Sequence, residues 1–460
     1  MNTKTSQKTL QSRSAVLWLF LLMGISANAL AATTYYVDRN NSQASDSNPG
    51  SQAQPWKTIG KAASAMVAGD TAIVVTGTYN EKVNTARSGN SGNRITFRGM
   101  PGARILTFLN VGHSYITIEG FEMTGANEGY MMTWNGSFGE LLNNKIHDTG
   151  ASWGVIRGDG DNFTLRGNHY YSSSGPGDDL AIFIIGGDNS LAENNEIGPG
   201  KDVDAFRVWG TNNIIRGNYI HDLSLSSGSG SHQDVIQTFG LGGATSRNIV
   251  FEKNLINNTN GNGLQMFMTE SNGSANMRDW DIRNNVYIGV SGQANLGIPN
   301  IRFYNNTVYN SGAGNNLIMY LYDASGKSNF SGAQIKNNIF ITPSGISSYG
   351  KVLSVGSSGS NIQISNNFIS RIGTWGSVSG FNDPNGINGG NPQFANTSPN
   401  DFHLQSTSPA INRGTTLTGF NYDHDGVTRP QGSAWDIGAF EYGGSSTTTL
   451  LAPTNLRLVP

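Results

Sequence analysis

Short alternations of apolar and polar residues recur along most of this chain, and each closes on an asparagine followed by one variable and then one apolar residue. Asn213-Ile214-Ile215-Arg216 precedes Asn218, Asn248-Ile249-Val250-Phe251 precedes Asn254, and Asn361-Ile362-Gln363-Ile364 precedes Asn367. A two-residue period is that of a strand with one buried face. The closing asparagines are Asn144, Asn168, Asn195, Asn218, Asn254, Asn285, Asn306, Asn338 and Asn367, spaced 21 to 36 residues apart. One supersecondary unit repeated at such intervals marks a solenoid, in which each unit buries its apolar face on its neighbours. A buried turn leaves N–H and C=O groups in need of partners, and an amide side chain carries both a donor and an acceptor. The asparagines are therefore expected to be structural.

Composition supports a turn-rich β protein: 60 of 460 residues are glycine, only 13% are charged, and helix formers are not in excess. Cysteine is absent, which excludes disulfides and thiolate metal sites. A formal charge of −2 argues against nucleic acid as a partner. Lys4, Lys8 and Arg13 precede an apolar run from Ala15 to Ile25 and the small residues Ala27, Ala29 and Ala31. That pattern is a signal peptide over 1–31, since the run is shorter than the roughly 20 residues of a membrane span. The mature chain is expected to be a soluble monomer without a membrane span, secreted or periplasmic.

A repeat of this length, built of short strands with an asparagine at one turn, resembles the right-handed parallel β-helix of pectate lyases and polygalacturonases. The resemblance implies that the asparagines stack as a ladder. Residues 32–80 are similar to the N-terminal cap and first coil of secreted β-helix polysaccharide lyases: Tyr35-Tyr36-Val37-Asp38 forms a strand, and a short helix from Pro55-Trp56-Lys57-Thr58-Ile59 sets Ile59, Ala62, Ala63 and Met66 on one face. The fold class is accordingly all-β, with a β-helix of eleven or twelve coils over 81–400. Residues 401–442, with Tyr422-Asp423-His424-Asp425-Gly426 and Asp436-Ile437-Gly438-Ala439-Phe440, resemble the closing segment of bacterial β-helix proteins and form a C-terminal cap. Asp423 and Asp425 are expected to stabilise a turn there. Residues 443–460 are a linker and tail.

Ligands of such folds lie along an outward sheet, where residues of successive coils stack about 4.8 Å apart. Alignment of 204–209, 234–239 and 262–267 places Phe206, Val208, Ile236, Leu264 and Met266 inside. It leaves Arg207, Gln237 and Gln265 in one outward column, with Arg157 near it, and Trp209, Phe239 and Phe267 in the next. Aromatic faces and an arginine suit a polysaccharide bearing uronates. The substrate-binding candidates are Arg157, Trp209, Gln237, Phe239 and Gln265.

Ionisable groups gather just before these strands: Asp178, Asp179, Lys201, Asp202, Asp204, His232 and Asp234. His147-Asp148 and His221-Asp222 recur at one offset from a ladder asparagine and are assigned to a turn device. His232-Gln233-Asp234-Val235 resembles the Asn-Thr-Asp-Gly motif of polygalacturonases, although that family's Gly-His-Gly and Arg-x-Lys motifs are absent. Two chemistries remain open. Inverting hydrolysis needs two carboxyl groups roughly 6.5–9.5 Å apart, for which Asp204 and Asp234 are the candidates. β-Elimination needs a base, drawn from Lys201, Arg207 or His232 with Asp234 beside it, and a cation for the uronate carboxylate. The likeness to β-helix lyases implies Ca2+, with Asp202, Asp204 and Asp234 as hard oxygen ligands. A non-catalytic glycan-binding rod is the alternative of another class.

Overall fold

The computed structural model describes residues 32–443 except 126–128, 151, 173–179, 227–231, 241–242, 293, 312–317, 322–328, 358 and 398–399. Residues 1–31, expected to be a signal peptide, residues 444–460, Asp178 and Asp179 lie outside the described residues. What is described is a right-handed parallel β-helix. One ladder of thirteen strands runs from Thr34–Val37 to Gln363–Ser365, all in parallel. Eleven of these strands, from Ile95–Gly99 to Gln363–Ser365, lie within 81–400, and Thr34–Val37 and Thr71–Val74 extend the ladder into the N-terminal segment, register Tyr36↔Ile73. Second and third ladders follow each coil's asparagine turn, and Ala103–Val111 pairs with strands of both.

Each ladder asparagine sits in a turn whose preceding residue is left-handed, as at Asn143 (φ 55°), Asn194 (φ 54°), Asn284 (φ 54°) and Lys253 (φ 57°). That conformation aims the next side chain inward, where the asparagines form a continuous hydrogen-bonded column. Asn218 Nδ2 donates to Asn254 Oδ1 at 2.9 Å and Asn254 Nδ2 to Asn285 Oδ1 at 3.0 Å. Asn254 Nδ2 also donates to Ile215 O, while Asn254 Oδ1 accepts from the Asn218 N–H. Every amide thus serves the backbone of its own neighbourhood as well as the next amide. The column ends at Asp383, whose Oδ2 accepts from Asn367 Nδ2 at 2.6 Å.

The strands of the third ladder break simple alternation. Met131-Met132, Val155-Ile156, Ile182-Phe183, Ala205-Phe206, Val235-Ile236 and Met266-Phe267 are adjacent pairs that both enter the core. Two consecutive inward residues require a bend, so the residue before each pair and the residue after it share the outer face. Asp204 and Arg207, Asp234 and Gln237, and Gln265 and Met268 are such outward pairs, as the register Ile184↔Arg207↔Gln237↔Met268 shows.

At the N-terminal end the helix Ile59–Ala65 is capped by Thr58, whose side chain accepts from the Lys61 N–H, and Ile59, Ala62, Ala63 and Met66 are buried. Residues 401–442 depart from the expected position over the last coil and strap the flank of the solenoid. Asn305 Nδ2 donates to Asp436 O and Gly438 O, Asn337 Nδ2 to Thr415 O, and Asn284 Nδ2 to Tyr422 O. The residues that bind the strap are those just before the ladder asparagines, turned outward by their positive φ. Asp423 holds its own turn, with Oδ1 accepting from the Asp425 and Val427 N–H groups.

Candidate functional site

The outer face of the third ladder gathers four of the ionisable residues singled out in the sequence. Asp204 Oδ2 accepts from Arg207 Nε at 2.9 Å and Nη2 at 2.8 Å, and Oδ1 accepts from the Asp234 N–H of the next coil at 2.8 Å. Asp234 Oδ2 meets His232 Nδ1 at 2.7 Å. Strict alternation would place Asp204 and Asp234 in the core. The bend at Ala205-Phe206 and Val235-Ile236 instead turns them to the outer face, where overlying groups leave them 1% and 0% exposed. Arg207 is 9% exposed, and the His232 side chain retains 33%.

Burial pushes the Asp204 carboxyl well up, and the neighbouring Asp234 pushes it further, against the opposing pull of Arg207. With Nδ1 engaged by Asp234, the basic nitrogen of neutral His232 is Nε2. The arrangement is a carboxylate-oriented imidazole beside a carboxylate-oriented guanidinium, the two carboxylates being in contact through the Asp234 backbone.

Other candidates are placed elsewhere. Lys201 is exposed in a short strand paired with Ser224, and among the described residues no ion pair joins it to Asp204, His232 or Asp234. Asp202 turns to Ser226: its Oδ1 accepts from the Ser226 N–H at 2.6 Å and its Oδ2 from Ser226 Oγ at 2.5 Å. Of the three aspartates expected to hold calcium, Asp202 is therefore turned away from Asp204 and Asp234. The compact set is Asp204, His232 and Asp234, whose ligand atoms lie within 4.8 Å of one another. Two carboxylates and an imidazole, one carboxylate already bound by a guanidinium, do not fit a cation that takes six to eight oxygens.

The 262–267 segment is shifted by three residues from its expected alignment. Gln265 pairs with Asp234, Phe267 with Ile236 and Met268 with Gln237. Phe267 is consequently a core residue rather than an outward aromatic, and Gln265 extends the Asp204–Asp234 row. Trp209 and Phe239 do share an outward row, with ring centroids 5.1 Å apart in edge-on contact, and Trp209 Nε1 donates to Phe239 O. Arg157 lies two coils from Arg207 in the same column, its Nε on Asp159 at 2.6 Å and Nη1 on Tyr130 Oη at 3.0 Å. It borders a cavity of about 430 Å³ with Asp159, Asp188 and Trp209. Gln237 is buried, with Nε2 3.5 Å from Met268 Sδ. Asp159 and Asp188 escaped the sequence reading. They follow the third-ladder strands by one and three residues, and loop aspartates there carried no motif.

The two His-Asp turns behave alike. His147 bridges Asp148 at 2.8 Å and Glu122 at 3.0 Å, and His221 bridges Asp222 at 2.9 Å and Glu196 at 3.3 Å. Both are repeated turn devices on the second ladder, unlike His232.

Comparison with known proteins places the fold. The XylC structure in complex with xylose superposes with a TM-score of 0.55 at 14% identity, covering 89% of this chain and 98% of that one. Pectate lyase Pel9A superposes at 0.50 with 18% identity, covering 89% and 96%. The fold shared with these structures is the parallel β-helix. The family described as "Protein of unknown function (DUF1565)" matches residues 43–86. The Bacillus subtilis (strain 168) protein described as "Uncharacterized protein YwoF" is 30% identical over 93 residues, 18% of this chain. The match spans about a fifth of that relative's length.

Proposed function

We propose that this protein is an exported enzyme that cleaves a uronate-containing polysaccharide by β-elimination. The observation that carries the reading is the paired orientation of His232 by Asp234 and of Arg207 by Asp204 on one outward face. His232 Nε2 takes the proton α to the uronate carboxylate. The C–H electron pair becomes the new C=C bond as the glycosidic C–O bond breaks, and the departing oxygen takes a proton from solvent. Arg207 lies where it can offset the charge that builds on the carboxylate, the costly feature of the intermediate. Asp234 favours the imidazolium that forms. Trp209 and Phe239 offer apolar surface to the sugar chain, and Arg157 a second cationic position along it. No step is routed through calcium.

Inverting hydrolysis fits less well, because carboxylate oxygens of Asp204 and Asp234 approach within 4.8 Å, short of the roughly 6.5–9.5 Å that the mechanism keeps between its carboxyl groups. A glycan-binding rod is favoured by one observation, the near-complete burial of both aspartates. Absorbance near 235 nm during incubation with a panel of uronate polymers, alongside a reducing-sugar assay, separates the three. A rise that survives chelator and is lost in His232→Ala supports elimination by this site. A rise abolished by chelator and restored by calcium returns the metal to the mechanism. New reducing ends without absorbance move the reading to hydrolysis, and silence in both assays leaves the rod.

A further inference from the structure

A second cavity, of about 320 Å³, lies far along the chain from His232, where the second ladder meets the segment that leads into the strap. Its walls come from Tyr309, at the end of strand Thr307–Tyr309, from Trp375, and from Asn391, residues 393–397 and Gln405. Three of the lining residues are aromatic, Tyr309, Trp375 and Phe394, and Asn391, Asn396 and Gln405 contribute amides. Among the described residues, none that lines it is charged.

Two backbone conformations there are unusual. Trp375 has φ 49° and Gln393 φ 54°, a region that disfavours residues with a side chain beyond asparagine or aspartate. A bulky indole held there is strained, and such strain persists where surrounding structure enforces it, often at ligand sites. The Trp375 turn is enforced by its N–H donating to Arg371 O at 2.9 Å and its carbonyl accepting from Gly390 N–H at 2.8 Å. Phe394 is fixed by edge contact with Phe402 at 5.1 Å, and Tyr309 packs on Phe402 at the same separation. Tyr309 and Trp375 remain half-buried.

We propose that this cavity binds one neutral pyranose unit of a glycan. A pyranose presents an apolar C–H face and a rim of hydroxyl groups that both donate and accept. Aromatic faces meet the first requirement and amides the second. A uronate would have no cation among the lining residues to meet its carboxylate, and burying that charge unpaired is costly. The cavity volume falls in the range of small-ligand sites. This pocket shares no residue with the His232 cluster, and its occupancy does not depend on elimination there.

The test is titration of the mature protein with methyl β-glucoside, methyl β-galactoside, methyl β-xyloside and sodium galacturonate, followed by intrinsic tryptophan fluorescence and saturation-transfer NMR. At least one neutral glycoside is expected to bind in the millimolar range, with galacturonate at least tenfold weaker. Trp375→Gly suits the left-handed turn while removing the indole, so it should keep the fold and lose the binding. Tyr309→Ala is expected to weaken binding at least fivefold without touching cleavage of soluble polymer. Binding that persists in folded Trp375→Gly, preference for galacturonate, or no response to any neutral glycoside at 50-fold above the millimolar range (about 50 mM by that scale) overturns the proposal. Loss of polymer cleavage in His232→Ala with the glycoside response intact would show that the two sites stand separately.

Discussion

Asp234 reaches across one coil boundary to Asp204 through its backbone N–H, at 2.8 Å, while its own side chain holds His232 at 2.7 Å. The same residue therefore fixes the imidazole and supports the carboxylate that orients Arg207. Asp234→Asn keeps the backbone contact and removes the charge. Turnover is expected to fall by about a hundredfold or more, the usual range for a disabled general base. Stability should move the other way. A carboxyl whose folded pKa is raised contributes stability below its unfolded pKa and loses it as pH rises through the folded value, and Asp234 is one cause of that rise in Asp204. Removing its charge shrinks the loss, so the melting temperature of Asp234→Asn at pH 8 should equal or exceed that of the parent. A lower value would show that the carboxylate pair is a net support of the fold.

Asn254 illustrates the cost of breaking the asparagine column. Its replacement by alanine leaves the Asn218 backbone N–H, one Asn218 amide hydrogen and the Ile215 carbonyl without their partner, all buried, while Asn285 Oδ1 keeps the backbone N–H of residue 254. Unsatisfied buried groups cost about 1–3 kcal/mol each, partly recovered by water. A loss of about 3 kcal/mol is expected, read as a lowered urea midpoint with an unchanged circular dichroism spectrum of the native state.

His403 ties strand Asp401–Leu404 to the strap turn, with Nδ1 on Asp401 and Nε2 on Asp425 at 2.6 and 2.9 Å. Burial opposes its protonation, but the two carboxylates outweigh burial and raise its pKa to about 9. Its contribution to stability is present below the unfolded value near 6.5 and disappears as pH rises through about 9. Thermal melts at pH 6 and pH 10 should show the parent losing more than His403→Gln over that interval. Equal losses would remove His403 from the pH response.

Arg429 and Glu441 form a fully buried pair at 2.8 Å inside the strap, both side chains at 0% exposure. Glu441→Gln leaves a buried guanidinium without its counter-charge and is expected to cost about 3–5 kcal/mol. The strap should then loosen from the flank, so limited proteolysis should cut within 401–442 while the coils before Asn254 stay resistant. Uniform resistance would mean that the pair is dispensable.

The sequence by itself determined the solenoid, its strands and its ladder. The reason is that these are local: the alternating runs, the left-handed residue before each ladder asparagine, and the asparagine itself all lie within a few positions of one another. The adjacent apolar pairs, such as Val155-Ile156 and Met266-Phe267, are local too, but that both members of each enter the core, which turns Asp204 and Asp234 to the outer face, is a property of the packed coils. The register between coils was not local. The stretch from the third-ladder strand to the ladder asparagine is longer before Asn254 and Asn285 than before Asn218, and a polar residue at one coil can match more than one position on the next. Only the burial of both members of each pair decides it, which is why Gln265 stands beside Asp234 and Phe267 lies inside. Tertiary structure also decided the convergence at the site. Asp202 and Asp204 are two residues apart, yet a left-handed turn at Asp202 (φ 53°) sends one carboxylate to Ser226 while the strand carries the other to Arg207 and Asp234.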